Sequence, residues 1–352
     1  MWLSVEGASS SASAALRKLR CELTAASARS STSVTRSFMG FRHQGMPVQG
    51  GYRLALSLLN CVPFHHRHKE SEMSRTWFIT GIGSGFGREM TQQLLARGDR
   101  VAGTVRDTQA VADLRERHGD ALWSATLDMT DLPGIQRVVA QAFEVFGRID
   151  VIVNNAGYGL FGAAEGLSDA QIRHQIDTNL IAPIQVTRAA LPGLRAQGGG
   201  RILAISSYGG QATHPGASLY HASKWGMEGF FDALSAEVAP FGIGVTIVEP
   251  GGARTAFRRA AGRHFGAELE AYRDTPVGAL YARLSDPGFV ASGDPAKMVS
   301  IMIDSVDRRP APKRIALGRD AYTMIRNALG ERLAAVEADR ELAHSTDFDA
   351  PA

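Results

Sequence analysis

Between residues 77 and 87 the sequence reads WFITGIGSGFG, a short apolar run that leads into a turn with four glycines. Residues 88 to 97 follow with helical character, so this stretch predicts a strand, a turn and a helix. That order brings bare backbone N–H groups and a helix N-terminus against a pyrophosphate. A glycine-rich turn can also be only a tight connection, so further features of the chain have to separate the two interpretations.

The spacing of the glycines narrows the kind of nucleotide fold. Gly81, Gly85 and Gly87 form the pattern GxxxGxG. The ordinary pattern GxGxxG fails, because Phe86 or Arg88 would occupy its last glycine position. The turn therefore predicts a nucleotide site with a less common glycine pattern.

Seven apolar, β-branched runs alternate with segments of helical periodicity. They cover residues 77–80, 100–105, 122–127, 150–153, 201–206, 244–248 and 313–317. Such alternation predicts a parallel sheet covered on both faces. The chain extends 280 residues from Met73, which is enough for one large core. We predict an α/β fold over residues 73–352, a single doubly wound Rossmann domain with a seven-stranded parallel sheet and helices on both faces.

A second motif, YHASK, occupies residues 220 to 224, with Ser207 thirteen residues before its tyrosine at the end of a predicted strand. Tyr220 and Lys224 are four residues apart and so are neighbours on one helix face. A Tyr hydroxyl normally loses its proton near pH ~10, and it acts as an acid or base at neutral pH only where a cation stabilises the phenolate. Lys224 is placed to do this, and Ser207 could polarise a substrate carbonyl. An exposed Tyr/Lys pair without function would show the same spacing.

The chain resembles the classical short-chain dehydrogenase/reductases over about residues 73 to 352. Besides the two motifs above, the resemblance rests on Asn154-Asn155-Ala156-Gly157 after the fourth strand, Asp128 closing the third strand, Asn179 inside the fourth helix, and Pro250-Gly251 with Thr255 after the sixth strand. Several motifs in the family's order make the match specific. The overall pattern is similar to members near the 17β-hydroxysteroid dehydrogenase-like branch.

The resemblance implies a catalytic tetrad of Asn179, Ser207, Tyr220 and Lys224. A nicotinamide cofactor supplies a hydride to a carbonyl carbon, Ser207 stabilises the developing oxyanion, and Tyr220 donates the proton. Lys224 would lower the pKa of Tyr220 and grip the nicotinamide ribose. Asn179 would order a water that connects Lys224 to solvent, and an Asn that only bonds a backbone carbonyl is the alternative. The reverse reaction oxidises a secondary alcohol, and no metal is required.

The resemblance also implies a dinucleotide site. Asp128 would hold the adenine amino edge with Met129 supplying backbone, and Thr255 would bond the nicotinamide carboxamide. The predicted cofactor-binding residues are Thr80, Gly81, Ser84, Gly85, Phe86, Gly87, Arg106, Asp128, Met129, Asn154, Ala156, Gly157, Tyr220, Lys224, Pro250, Gly251 and Thr255. A strand-end Asp often caps a helix, and an Asn-Asn-Ala-Gly turn can be purely architectural. We regard Asn154 as partly structural in any case.

Cofactor preference depends on the end of the second strand, where Val105 and Arg106 lie. A site for NAD would place a carboxylate there to bind the ribose hydroxyls and repel a phosphate. Val105 cannot do this, whereas Arg106 can bind a 2′-phosphate, as this position does in NADP-preferring family members. We therefore predict NADP over NAD. The alternative is that Arg106 is only a solvated charge and that Asp107 binds the ribose hydroxyls. The family's other common basic position holds Ser84 in this chain, so the phosphate site would depend on one arginine.

Residues 1 to 72 differ in composition from the rest, with nine Lys or Arg against four Asp or Glu. We expect a disordered leader or an over-long gene start rather than an organellar transit peptide, so that protein starting at Met73 folds and turns over like the full chain. Residues 73–352 hold 29 basic and 31 acidic residues, so the basic pI gives no case for nucleic-acid binding. Both cysteines lie in the leader, which excludes a thiol mechanism in the domain.

Substrate identity is the least determined feature. A lid over residues 253–290 would close the pocket, with apolar Phe257, Phe265, Tyr272, Leu280, Tyr281 and Phe289, basic Arg258, Arg259, Arg263 and His264, and a further wall from Leu160 and Phe161. A bulky apolar ketone fits such a pocket. We expect a cytoplasmic homodimer or homotetramer that acts on a small molecule, without a membrane or nucleic-acid partner. The alternative function is a catalytically silent NADP-binding sensor.

Overall fold

The computed structural model describes residues 74–255, 257, 264–286, 288 and 290–348, so the predicted leader lies outside the described residues. Its strands are β1 (Thr76–Ile79), β2 (Arg100–Val105), β3 (Leu122–Thr126), β4 (Val151–Asn154), β5 (Gly200–Ile205), β6 (Ile243–Pro250) and β7 (Arg314–Leu317). They form one parallel sheet in the order β3-β2-β1-β4-β5-β6-β7. The predicted seven-stranded doubly wound fold is confirmed, with each strand within two residues of its expected bounds.

The helices alternate with the strands. They are α1 (Gly85–Ala96), α2 (Ala112–His118), α3 (Leu132–Phe146), α4 (Asp169–Ile176), α5 (Ala182–Ala196), α6 (Ser218–Val238), α7 (Pro276–Ser285), α8 (Pro295–Asp304), α9 (Arg319–Ala338) and α10 (Arg340–His344). Short polar residues start several of them: Asp131 accepts the N–H of Gly134 before α3, and Ser168 and Gln171 form a capping box at α4. Among the described residues, no helix is long and apolar enough to cross a membrane.

Two apolar layers cover the sheet, because successive strand residues point to opposite faces. In β4, Ile152 faces the layer formed by α3, α5 and α6, whereas Val151 and Val153 face the layer formed by α1, α2 and α8. Phe231 of α6 is fully buried in the first layer. Burial on both sides explains why the strands read as continuous apolar runs rather than as an alternating pattern.

The strand order reverses next to β1, which pairs with β2 on one side and with β4 on the other. Crossovers leave this point toward opposite faces of the sheet, and a crevice therefore opens at the carboxyl ends of the strands. The segments that follow β1, β4, β5 and β6 carry most of the predicted site residues, and the topology brings these segments to the same edge.

Candidate active site

The glycine-rich turn joins β1 to the N-terminus of α1. Gly81 and Gly85 have φ angles of 75° and 57°, a backbone region that favours glycine. A Cβ atom on Gly87 would lie 2.3 Å from Gly81 O and 2.5 Å from Asn155 Nδ2. The turn is therefore closed by backbone contacts that leave no room for a side chain.

Side chains from the neighbouring strand hold this turn. Asn155 Nδ2 donates to Thr80 O at 2.8 Å and to Gly81 O at 3.2 Å. The hydroxyl of Thr80 accepts the N–H groups of Asn155 at 3.0 Å and Ala156 at 2.9 Å. The side chain of Asn154 does not bond to this turn; its Nδ2 donates to Thr187 Oγ1 of α5 at 3.0 Å. This bond is consistent with the partly structural role predicted for Asn154. Asn155 is not among the predicted site residues, although it belongs to the Asn-Asn-Ala-Gly motif.

The end of β2 places Val105 in the core and Arg106 at the surface. The Asp107 carboxylate accepts the N–H of Gln109 at 2.9 Å and so caps a short 3₁₀ turn. Asp128, two residues beyond β3, accepts two hydrogen bonds from Thr130, each at 2.8 Å. These bonds lower the pKa of Asp128, and the nearby charge of Arg106 lowers it further. Arg106 and Asp128 thus share one corner of the crevice, while Asp107 is engaged in a cap.

Ser207, Tyr220 and Lys224 meet beyond β5. Ser207 begins a 3₁₀ turn and its Oγ accepts the N–H of Gly209 at 3.1 Å. Burial raises the pKa of the Tyr220 hydroxyl to about 12, and a hydrogen bond with Ser207 opposes that effect. Lys224 Nζ donates to Ile205 O at 2.8 Å, and burial lowers the pKa of this ammonium to about 8. Burial is the dominant influence on the Tyr220 pKa, so Tyr220 is protonated at neutral pH, and a lowering of this pKa by Lys224 stays a prediction.

Asn179 lies in a π-helical turn, Asp177–Ile181, that continues α4 into α5. Its side chain is fully buried, with Nδ2 donating to Tyr158 O at 2.8 Å and Oδ1 accepting the N–H of Tyr158 at 3.0 Å. A Cβ atom on Gly157 would lie 3.1 Å from Asn179 Oδ1 and 3.9 Å from Lys224 Nζ. The bond to a backbone carbonyl, the alternative role predicted for Asn179, is present, and Asn179 also lies next to Lys224 across Gly157.

His221 supports the turn that carries Ser207. Its ring Nδ1 lies 2.9 Å from Gly209 O, and its Nε2 accepts the N–H of His214 at 3.1 Å. Burial lowers the pKa of His221 to about 4, so the ring is neutral at pH 7. The residue next to Tyr220 therefore positions backbone rather than moving protons.

Aromatic rings flank Tyr220. The ring centroid of Phe161 lies 5.9 Å from that of Tyr220, and Phe257 lies 6.2 Å away on the lid. The lid is joined to Phe161 through the backbone, since Phe161 O accepts the N–H of Gly266 at 2.9 Å. Tyr281 stacks on Phe265 with ring centroids 4.4 Å apart. The predicted lid residues Arg258, Arg259, Arg263 and Phe289 lie outside the described residues.

The base of the lid follows β6. The N–H of Gly251 donates to Leu317 O at 2.8 Å, and the N–H of Gly252 donates to Asp320 Oδ2 at 2.7 Å. Thr255 Cβ lies 3.8 Å from the position that a Cβ atom on Gly85 would take. Thr255 is thus brought beside the glycine-rich turn. Asp320, at the start of α9, carries no sequence motif that would have identified it.

A family model described as short chain dehydrogenase matches residues 75–264. The chain belongs to the short-chain dehydrogenase/reductase family. The dehydrogenase is 35% identical over 271 residues to Oxidoreductase BOA17 of Botryotinia fuckeliana, which covers 77% of this chain and 98% of that protein. It is 37% identical to a short-chain dehydrogenase of known crystal structure from Streptomyces avermitilis, with a TM-score of 0.72 over 79% of this chain and 100% of that one.

A third relative has a more specific name. NADPH-dependent 3-dehydrocapnine reductase of Ornithobacterium rhinotracheale is 29% identical over 212 residues, which are 58% of this chain and 74% of that protein. Family membership makes the present protein an NAD(P)-dependent oxidoreductase. The residues of the crevice fit such a cofactor. The glycine-rich turn leaves backbone N–H groups at the start of α1 open to a phosphate, and the Ser84 side chain makes no capping bond to those N–H groups.

Proposed function

We propose that this dehydrogenase interconverts a ketone and a secondary alcohol, with NADP(H) as the preferred cofactor. One observation carries the proposal: the Ser207 hydroxyl is close enough to the buried Tyr220 hydroxyl to influence its pKa, and the buried ammonium of Lys224 lies one helical turn from Tyr220 on α6. Two neighbouring hydroxyl donors match a carbonyl oxygen, which accepts two hydrogen bonds and gains negative charge during reduction.

The proposed roles of Ser207, Tyr220 and Lys224 follow from the protonation state of each side chain. When bound, the nicotinamide supplies a hydride to the carbonyl carbon. Ser207 donates a hydrogen bond to the carbonyl oxygen and keeps its proton. Tyr220 transfers its proton to that oxygen, and the Lys224 charge stabilises the resulting phenolate. Because burial holds the pKa of Tyr220 at about 12, the proton remains on the hydroxyl until the oxygen has become strongly basic.

The apolar surroundings of Tyr220 support a bulky apolar substrate. Tyr220 belongs to a buried apolar cluster with Phe161 and Ala217, and Leu280 and Leu284 of the lid pack against that cluster. Each buried methylene contributes about 0.8 kcal/mol to binding, which corresponds to roughly fourfold in affinity. The preferred ketone therefore has a large apolar group next to its carbonyl.

Arg106 supports the preference for NADP(H). Its charge lies near Asp128, the buried Val105 offers no carboxylate at the end of β2, and one oxygen of the Asp107 carboxylate is engaged in a turn cap. A relative named as NADPH-dependent agrees with this preference. The assignment to the 17β-hydroxysteroid dehydrogenase-like branch, the cytoplasmic location and the homodimeric or homotetrameric state stay predictions.

The test is NADPH oxidation by the purified full-length protein with a panel of ketones of increasing apolar size, from acetone to a polycyclic ketone. We expect kcat/KM to rise with the apolar area next to the carbonyl. Turnover of small or charged ketones at equal kcat/KM would contradict the proposed substrate class. Absence of turnover with every ketone and with every secondary alcohol in the reverse direction would contradict the proposed reaction.

A further inference from the structure

A groove lies at the opposite end of the sheet from the candidate active site. It encloses about 680 Å³ and is lined by residues that precede or begin β1, β4, β5, β6 and β7. We call it the amino-end groove, and its cationic lining residues are Arg75, Arg148, Arg201, Arg309 and Lys313. Ligands of doubly wound folds normally bind at the carboxyl ends of the strands, so this groove is separate from the cofactor crevice.

Arg201, in β5, is the most buried cation of the groove, with 6% of its surface exposed. Its guanidinium makes one hydrogen bond, from Nη2 to Ser305 O at 2.8 Å, and its Nε has no partner among the described residues. No described carboxylate lies within ion-pair distance of it. An arginine has five N–H donors, so most of the donors of this buried charge have no partner among the described residues.

The fold makes space for this side chain. Arg201 is in register with Gly244 of the neighbouring strand β6. A Cβ atom on Gly244 would lie 2.3 Å from Arg201 Nη1, so a larger residue would displace the guanidinium. Further glycines form the wall around it: Gly198, Gly199, Gly200 and Gly242. The groove therefore has a buried cation at its base and a stretch of glycine wall, where another molecule can approach the backbone.

The other charges of the groove leave an excess of positive charge. Arg75 is paired with Asp307, and Arg148 lies 2.6 Å from Asp150. Lys313 lies 3.7 Å from Asp232. Among the described residues, Arg309 has no carboxylate partner, and its Nη1 donates only to carbonyl oxygens, to Val306 O at 2.6 Å and to Arg308 O at 3.2 Å.

Arg201 and Arg309 therefore carry two charges with no described carboxylate within ion-pair distance, and the more distant charge of Asp307 only partly offsets that of Arg201. Burial lowers the pKa of Arg201 to about 10, with the charge of Arg309 acting in the same direction, so Arg201 remains protonated at neutral pH. A buried charge without a partner costs free energy, and an anion between two guanidinium groups would remove that cost.

We propose that the amino-end groove binds a phosphate group through Arg201 and Arg309. Guanidinium forks match phosphate oxygens with paired, charge-assisted hydrogen bonds. The groove is larger than phosphate itself and falls in the size range of sites for small molecules, so the ligand is a phosphate ester whose remaining part lies along the glycine wall. The groove lies away from Tyr220, and its ligand does not compete with the cofactor.

The probe is pyrophosphate, titrated by calorimetry into the full-length protein saturated with NADPH, so that the dinucleotide site is filled. We expect the wild type to bind pyrophosphate and its Tm to rise with pyrophosphate concentration. Arg309→Gln should weaken binding roughly ten- to hundredfold, because it removes a charge-assisted contact. Arg137→Gln, which changes an exposed arginine on α3, is the matched control and should bind like the wild type.

Arg201→Met tests the buried cation. If Arg201→Met folds, it should lose pyrophosphate binding. If Arg201→Met does not fold, the result for Arg309→Gln alone decides whether the groove binds phosphate. A wild type that binds neither pyrophosphate nor vesicles containing phosphatidic acid, equal binding by Arg309→Gln, or an equal Tm rise with sodium chloride at matched ionic strength would overturn the proposal. Vesicles containing phosphatidic acid identify the source: binding to vesicles but not to pyrophosphate, with the same dependence on Arg309, would assign the phosphate to a lipid headgroup.

Discussion

The Glu228 carboxylate lies one helical turn from Lys224 on the buried side of α6, and its charge raises the pKa of the Lys224 ammonium. Burial acts in the opposite direction and is the larger effect, which leaves the pKa of Lys224 at about 8. Glu228 is itself held by Arg314, whose Nε lies 2.9 Å from its Oε2. The charge state of Lys224 therefore depends on a carboxylate outside the predicted tetrad.

Glu228→Gln is expected to shift the pH dependence of ketone reduction. Lys224 is charged below its pKa and neutral above it, so kcat/KM for reduction should fall as the pH rises through about 8. Without the Glu228 charge the pKa of Lys224 drops, and this alkaline limb should move to lower pH. The pH profile of kcat/KM measures the shift, with Glu237→Gln on the exposed side of α6 as control. A limb that stays in place in Glu228→Gln would exclude the coupling.

Glu249 gives a second pH dependence, this time of stability. Burial and the Glu228 charge raise the pKa of the Glu249 carboxyl from 4.5 to about 7. The folded state then binds more protons than the unfolded state in this pH range. The contribution of protonated Glu249 to the free energy of unfolding is therefore fully present below pH 4.5 and is lost as the pH rises through about 7. We expect the Tm of the wild type to fall between pH 5 and pH 8 by more than that of Glu249→Gln. Parallel Tm curves for the two proteins would argue against a raised pKa.

Tyr220→Phe should abolish turnover while leaving cofactor binding intact. The change removes the proposed proton donor but keeps a ring between Phe161 and Phe257, and loss of a general acid costs about 10²- to 10⁴-fold in rate. Steady-state kinetics and NADPH binding by fluorescence measure the two properties separately. Tyr322→Phe, on an exposed tyrosine, serves as control. Near-native turnover by Tyr220→Phe would show that the tetrad assignment is wrong.

The sheet was predictable because its strands are buried on both faces, so each appears in the sequence as a β-branched apolar run. Residues in tight local motifs were predictable for a related reason. Gly87 has no room for a Cβ atom, and Tyr220 and Lys224 are neighbours on one helix, so the sequence pattern directly reflects the local geometry.

Other features depend on which distant segments come together. Asn155 holds the glycine-rich turn and Asp320 holds the base of the lid, and both do so through bonds to backbone groups that any residue could offer. Tyr220 shows a different limit: the sequence indicated the neighbouring cation, but the extent of burial, which sets the pKa, follows from tertiary packing. Arg201 appears in the sequence as an ordinary strand-edge arginine, and its burial is visible only in the fold.

Gly87→Ala is expected to impair cofactor binding and lower the Tm. The new Cβ atom would lie 2.3 Å from Gly81 O, a backbone atom that can move only if the turn itself shifts. Gly330→Ala is the matched control, since the site is inside α9 and, apart from the adjacent residues and the backbone of α9 itself, no described atom lies within 4 Å of its Cβ position. That control should be neutral or stabilised by up to about 1 kcal/mol. Equal NADPH affinity in Gly87→Ala and the wild type would show that the turn does not contact the cofactor.

The cofactor preference can be reversed at the end of β2, where Arg106 offers a cation and Val105 occupies the position of a carboxylate. A charge-assisted contact contributes about 1.5 to 3 kcal/mol, so one arginine should give roughly ten- to hundredfold discrimination in favour of NADPH. Ser84 adds no second cation, and measurable activity with NADH should remain.

The measurement is the ratio of kcat/KM for NADPH to that for NADH, first in the wild type and then in Val105→Asp/Arg106→Leu, with Arg137→Leu as a surface-charge control. In the double variant the new carboxylate repels the 2′-phosphate and binds the ribose hydroxyls, so the ratio should fall below one. A wild type that prefers NADH, or a ratio that the double variant leaves unchanged, would contradict this role of Arg106.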